Sequence, residues 1–95
     1  MGTSLHNAQI FSSTFEQDAV AGDPEACFDL GVAYSCGAKI DLIEAHKWFN
    51  LAALGGYAAA LTHRADIAEE MTAREIGEAQ RRARAVLASS HRRAA

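Results

Sequence analysis

A single proline interrupts this chain, and Val, Ile and Thr are scarce beside its many alanines. That bias disfavours sheets, which draw on β-branched side chains, and favours close-packed helices. Nearly half the residues are apolar and 22% are charged, so neither a disordered nor a collagen-like chain fits. Only two cysteines occur, Cys27 and Cys36. On one straight helix that spacing amounts to about 13 Å, beyond disulfide reach. No CxxC pair and no Cys/His spacing suits zinc, so reduced thiols and a cytoplasmic setting are expected. No apolar run approaches the roughly 18 residues that cross a bilayer, so no membrane association is expected. The start, MGTSLHNAQIF, lacks a basic stretch ahead of an apolar one, and His6 stands where myristoylation wants Ser or Thr; neither a signal peptide nor lipidation is expected. Phosphate-binding glycine loops, HExxH and GxSxG are all missing. We therefore expect no catalytic residue, no metal and no cofactor.

What is present is one small domain, spanning 1–95. A chain of this size buries about 60–65% of its unfolded surface, so its core has to be economical. The net charge of −3 is unevenly placed. Residues 1–48 hold two basic and seven acidic side chains, and residues 49–95 hold seven and five. The basic excess gathers in Arg81, Arg82, Arg84, Arg92 and Arg93. An acidic chain gains no long-range attraction to nucleic acid, so only this cluster could grip phosphate or an acidic partner. No aromatic residue lies among these arginines to stack on bases, which disfavours single-stranded nucleic acid.

Periodicity divides the chain into about five helices. Residues 1–7 are polar and expected to fray. Phe11, Phe15 and Ala19 recur at helical spacing over Ala8–Ala21. Gly22-Asp23-Pro24-Glu25 then reads as a helix start: glycine break, capping carboxylate, proline at the first position, acid near the positive end. The next helix should run to about Cys36 with Ala26, Leu30, Ala33 and Tyr34 inward. Gly31 within it costs about 1 kcal/mol relative to alanine, which close approach of a neighbouring helix would offset. Gly37 ends it, and a short link leads to Asp41. From there DLIEAHKWFNLAALGG places Ala45, Trp48, Phe49, Ala52 and Ala53 on one stripe, capped by Asp41 and closed by Gly55-Gly56. A link this short makes the two helices antiparallel. A further helix is expected from Tyr57 to about Glu70 with Ala59, Ala60, Ile67 and Ala68 apolar. Thr72 and Glu75 form a capping box that opens the last helix. Ile76, Ala79, Ala83, Val86 and Leu87 line it to about Ser89, leaving 90–95 as a basic tail.

An internal echo sets the expected architecture. Shifted by 33 residues, Phe15 falls on Trp48, Ala19 on Ala52, Gly22 on Gly55 and Ala26 on Ala59. The ordered set Gly22, Asp23, Ala26, Leu30, Gly31, Tyr34, Gly37, Asp41, Ala45, Trp48, Ala52, Ala53, Gly55 and Ala59 resembles the Sel-1-like repeat family, α-solenoid relatives of the tetratricopeptide repeat. EAHKWFNLAA and the pattern from Arg64 onward look like small bacterial members. The resemblance covers one complete repeat, 22–59, with 60–89 as a degenerate repeat helix and a C-terminal capping helix. It implies an all-α fold, a short right-handed α–α superhelix, and a non-enzymatic scaffold that binds a protein or peptide along its helical groove. There are departures. The link between Gly37 and Asp41 is shorter than the family's, so an altered helix angle is expected. Leu30 is answered by His63 and Gly31 by Arg64, so that second face should be solvent-exposed, as on a capping helix. One repeat is below the usual minimum of about three, so either the outer helices cap it or a second copy stacks through one of them.

Candidate contact residues follow from the same pattern. Glu44, Lys47 and Asn50 should stand exposed on the tryptophan helix and meet a protein partner. Arg81, Arg82 and Arg84 would serve the alternative, a small regulatory factor touching nucleic acid or an acidic partner. His46 and His63 read as surface helix residues, with no neighbouring nucleophile in sequence. Cys27 reads as a buried apolar group. Cys36, at the negative end of its helix, should not be reactive.

Overall fold

A computed structural model describes residues 22–94, with side-chain surroundings through residue 89. These residues form four helices and no strand: α1 Pro24–Ser35, α2 Leu42–Leu54, α3 Ala59–Ala68 and α4 Ala73–Ala94. The fold is all-α. The helix expected over Ala8–Ala21, the polar residues 1–7, and the Phe15–Ala19 half of the echo lie outside the described residues.

The starts of α1, α2 and α4 and the ends of α1 and α2 each have a local chemical reason. Asp23 is extended, and its carboxylate accepts from the N–H groups of Glu25 at 3.0 Å and Ala26 at 3.5 Å. Pro24 then occupies the first position, where a missing N–H costs nothing. Gly37, with φ 95°, turns the chain after α1. The Asp41 N–H donates to the Tyr34 carbonyl at 2.8 Å, pinning the link across its own ends. Asp41 caps α2 through the Glu44 N–H at 3.1 Å. Past α2, Gly56 N–H reaches Ala53 O and Tyr57 N–H reaches Ala52 O, both at 3.0 Å. This is the two-bond closure that requires a left-handed residue, and Gly56 supplies it with φ 98°. Gly55 has a different task. A Cβ there would stand 2.7 Å from the Pro24 ring, so its bareness lets the end of α2 touch the start of α1. The expected Thr72–Glu75 capping box is complete: Thr72 N–H donates to Glu75 Oε1 at 2.8 Å, and Glu75 N–H to Thr72 Oγ1 at 3.1 Å.

Contacts along the helices fix their directions. Pro24 meets Gly55, Gly31 meets Phe49, and Tyr34 meets Asp41, so α1 and α2 run antiparallel. Asn50 reaches Arg64, placing α3 back alongside α2. Leu42 and Ile43 share a groove with Glu75, while Leu51 and Leu54 share another with Val86 and Leu87. Those pairings make α4 parallel to α2. α2 packs along each of the other three helices, whereas α3 and α4 scarcely meet.

The core sits on α2. Ala45, Trp48, Phe49, Leu51 and Ala52 are buried there, joined by Ala26, Cys27 and Leu30 of α1, Ala60 of α3, and Ala79 and Ala83 of α4. Ala53 is half-buried against them. Gly31 answers the expectation of a close approach. A Cβ at that position would overlap the Phe49 ring, so the two helices touch ring against backbone.

Three expectations require correction. Ala33 is exposed rather than inward, because α1 is shallow and buries only Ala26, Cys27, Leu30 and Gly31. Ala59 is exposed and Ala60 is the buried residue, since α3 begins at Ala59, later than the expected Tyr57, and ends at Ala68. α4 does not stop near Ser89; its backbone stays helical to Ala94, so 90–94 is not a separate tail. Arg81 and Arg82 consequently lie mid-helix.

The two helical glycines separate close approach from simple propensity. Gly31→Ala should destabilise by about 1–3 kcal/mol, because the buried Phe49 ring has nowhere to go. At Gly77 an added Cβ would meet only the Arg81 guanidinium at 3.8 Å, so Gly77→Ala should stabilise by about 0.5–1 kcal/mol. Urea melts of both variants check the opposite signs. Trp48→Ala, at the centre of the core, should cost about 3–5 kcal/mol in the same assay.

Candidate functional site

The surface of α2 does not present the side chains its sequence suggests. Lys47 is 8% exposed, its Nζ bonded to Glu44 Oε1 at 2.9 Å and lying 4.2 Å from the Trp48 ring centroid. Its cation therefore rests on the negative face of the indole while its stem covers apolar surface. Glu44 uses its second oxygen to accept from Arg82 Nη1 at 2.8 Å. Arg82 in turn holds Glu78 Oε2 through Nε at 2.9 Å, and Glu78 Oε1 takes Arg81 Nη2 at 2.6 Å. Lys47, Glu44, Arg82, Glu78 and Arg81 thus form one chain of opposite charges, and its Glu44–Arg82 link ties α2 to α4. Asn50 is occupied as well, accepting from Arg64 of α3 through Oδ1. Glu44, Lys47 and Asn50 are corrected accordingly: each is engaged inside the molecule. Arg84 is exposed, while Arg81 and Arg82 are held by carboxylates.

Burial alone would raise the Glu44 carboxyl. The hydrogen bonds from Lys47 and Arg82 outweigh it and leave the group below the ordinary carboxylate value. The charged form is the one the fold prefers.

His46 is a second correction. It is 4% exposed, not a surface residue, and its Nδ1 is buried without a hydrogen-bond partner. Desolvation, with the Arg64 charge adding, holds its ring below the ordinary imidazole value and so neutral. The sequence signal was present but easy to discount: His46 and Asn50 are four apart, hence on one face, and that face meets α3. His63 is only partly the solvated residue expected. Its ring is exposed yet lies 4.9 Å from Phe28 and 5.3 Å from Phe49, and its Nδ1 is 3.0 Å from the Ala59 carbonyl. Arg64 is half-buried through its bond to Asn50. The second repeat face is therefore covered in part rather than left to solvent.

Burial pushes the Cys27 thiol up to about 11, with the Asp23 carboxylate adding, so at neutral pH it is a packing group rather than a nucleophile. Cys36 is exposed and donates through Sγ to the Val32 carbonyl at 3.1 Å. Among the described residues no group of three His, Cys, Asp or Glu side chains could hold a metal ion. No helix among them is long and apolar enough to cross a membrane.

Two grooves lie among the described residues. One, about 640 Å³ and open, is lined by Tyr34, Leu42 and Ile43 together with Lys39 and Glu75. Ile40 also lines it and is exposed, as are Leu54, Leu61 and Leu87 elsewhere on the surface. The other, about 170 Å³, lies between α2 and α4 over Cys27, Leu51 and Val86. Sequence reasoning missed the first because Ile40 looked like a mere linker residue.

No protein-family model matches the chain, and no curated protein and no solved structure shows significant similarity to it.

The Glu44 link gives a pH-dependent prediction. Arg82→Ala should cost about 1–2 kcal/mol near pH 7, since it leaves the half-buried Glu44 to Lys47 alone. A carboxyl held below its ordinary value stabilises the fold above that value and loses the contribution as the pH falls. The Arg82→Ala penalty should therefore shrink below about pH 4. Arg81→Ala, which spares the link between helices, should leave the melt unchanged at both pH values.

Proposed function

We propose that this chain is a non-enzymatic protein-interaction module of the Sel-1-like repeat type. In this reading α1 and α2 are the complete repeat, α3 and α4 a degenerate one, and the whole a short right-handed α–α superhelix. The observation that carries it is the way the α1–α2 hairpin closes on its two motif glycines, Gly31 against Phe49 and Gly55 against Pro24. Both glycines stand where the repeat pattern wants them, and both serve close approach. Gly22 and Gly37, the other motif glycines described, serve turns instead, with φ 102° and 95°, and Ala59 is exposed.

The partner surface moves with the correction of α2. Because Glu44, Lys47 and Asn50 are engaged internally, the groove around Ile40 is the better contact site for a protein or peptide. Its apolar walls suit an aliphatic or aromatic anchor, and Lys39 and Glu75 beside them suit polar neighbours of that anchor. The partner is sought in the cytoplasm. A second copy stacking through an outer helix is the homomeric version of the same reading.

The alternative, a factor that contacts nucleic acid or an acidic partner through α4, loses support from the ion pairs. Arg81 and Arg82 are paired with Glu78 and Glu44, so of the three arginines of that reading only Arg84 is left outside the ion-pair network.

The test places a photo-crosslinking residue at position 40 of the full chain inside cells. The expected result is a discrete adduct, competed away by the unaltered protein and not by Ile40→Asp. Adducts that Ile40→Asp competes equally well, or none at all, would overturn the site. Salt-sensitive retention on nucleic acid would favour the α4 reading instead.

A further inference from the structure

The α2–α3 seam carries charge chemistry that the proposed interaction role does not use. His46 and Asn50 share the face of α2 that meets α3. Asn50 accepts from Arg64, and the His46 Nδ1 is buried beside them without a partner. A buried imidazole in that position is tolerated only while it is neutral. A second positive charge near Arg64, with its Nδ1–H buried and lacking an acceptor, would be costly.

The groups around the ring offer no compensation. On α3, Arg64 is the charge whose field reaches it, and the sign is wrong. Glu44, two positions earlier on α2, is bonded to Lys47 and Arg82. On α4, Glu78 is shared between Arg81 and Arg82. Asp23 of the α1 cap is spent on the helix N-terminus, and neither Glu25 nor Asp29 of α1 bonds to the His46 Nδ1. Glu69 and Glu70, in the turn after α3, are exposed to solvent.

α3 is also the most weakly held helix. It is ten residues long, has no side-chain cap at its start, and buries one residue, Ala60. α4 does not depend on it, since α4 packs on α2 directly and is clamped there by Glu44 and Arg82. α3 is thus held to α2 chiefly by Ala60, the Arg64–Asn50 bond, the ring contacts of His63 and the half-buried Ile67.

We propose that the α2–α3 seam is an acid-sensitive latch: proton uptake by His46 detaches α3 from α2, while α1, α2 and α4 stay together. Detachment removes His63 from the Phe28 and Phe49 rings and uncovers an aromatic cluster in which Phe28 stacks on Tyr57 at 4.6 Å. The molecule then presents at low pH an apolar face that it hides at neutral pH. The direction follows from linkage. A histidine whose neutral form the fold prefers leaves stability intact above the ordinary imidazole value of about 6.5 and loses it as the pH falls below.

Amide hydrogen exchange of the full chain at pH 7.5 and 5.0, corrected for intrinsic rates, reads the latch. Protection over 60–68 should fall at least roughly tenfold, while α1 and α2 change less than about twofold. His46→Met, which keeps bulk but cannot charge, should abolish the response, and His63→Gln should retain it. Protection lost equally in all helices, α3 unaffected by pH, a response that survives His46→Met, or one abolished by His63→Gln would each overturn the proposal. If His46→Met does not fold, the His46 ring is titrated by NMR in the unaltered protein. The loss of α3 protection must then follow that titration, and a different midpoint overturns the latch.

Discussion

The Phe49 ring lies against the bare backbone of Gly31, and most of this structure depends on that contact. Any side chain at 31 would overlap the ring, so the α1–α2 distance is set by the absence of a Cβ. With the helices this close, Leu30 and Trp48 reach the same interior and both are almost wholly buried. The second close approach, Pro24 over Gly55, fixes the far end of the pair. Two points of contact, one mid-helix and one at an end, leave an antiparallel hairpin little freedom of angle. A small core becomes sufficient because α2 is shared: three helices bury their inner faces on one, and the chain spends its large side chains there.

Charge then does for α4 what glycine does for α1. The inner face of α4 is small, Ala79 and Ala83, and alanines lose little entropy but bury little area. Such a stripe permits close packing without specifying rotation. The Glu44–Arg82 bond supplies the missing orientation, since it reaches from the edge of α2 to one position on α4. Lys47 completes the arrangement by laying its cation on Trp48, so the core tryptophan and the interhelix ion pair are adjacent parts of one assembly.

Much of the fold was legible in the sequence because its signals are local. Asp23-Pro24, Asp41, Gly55-Gly56 and the Thr72–Glu75 box each satisfy a backbone group within a few residues, and all four mark helix ends that the structure has. The inward stripe of α2 was equally clear, because Trp48 and Phe49 are too large to be left outside. What was not legible depends on partners far along the chain. Glu44, Lys47 and Asn50 have the look of a solvated face; Arg82 and Arg64, thirty-eight and fourteen residues away, engage Glu44 and Asn50, and Lys47 folds back on Glu44 and Trp48. His46 was misplaced for the same reason: the seam that buries it is made by α3, whose inner face is too weakly apolar to announce itself. The Ile40 groove left no local mark at all.

The two halves of the described chain are packed differently. By the internal shift, Arg64 stands where Gly31 stands, and a guanidinium chain cannot let a following helix approach its backbone. Arg64 turns instead to the preceding helix and bonds to Asn50. With no close contact available on α3, α4 takes its packing from α2, and the α3–α4 pair stays open where the α1–α2 pair is shut. The same side chain sets a fixed positive charge beside the buried His46. A bare backbone at Gly31 thus lets two helices close, while the Arg64 side chain leaves the α3 face open and puts a charge at the seam where the acid-sensitive latch is proposed.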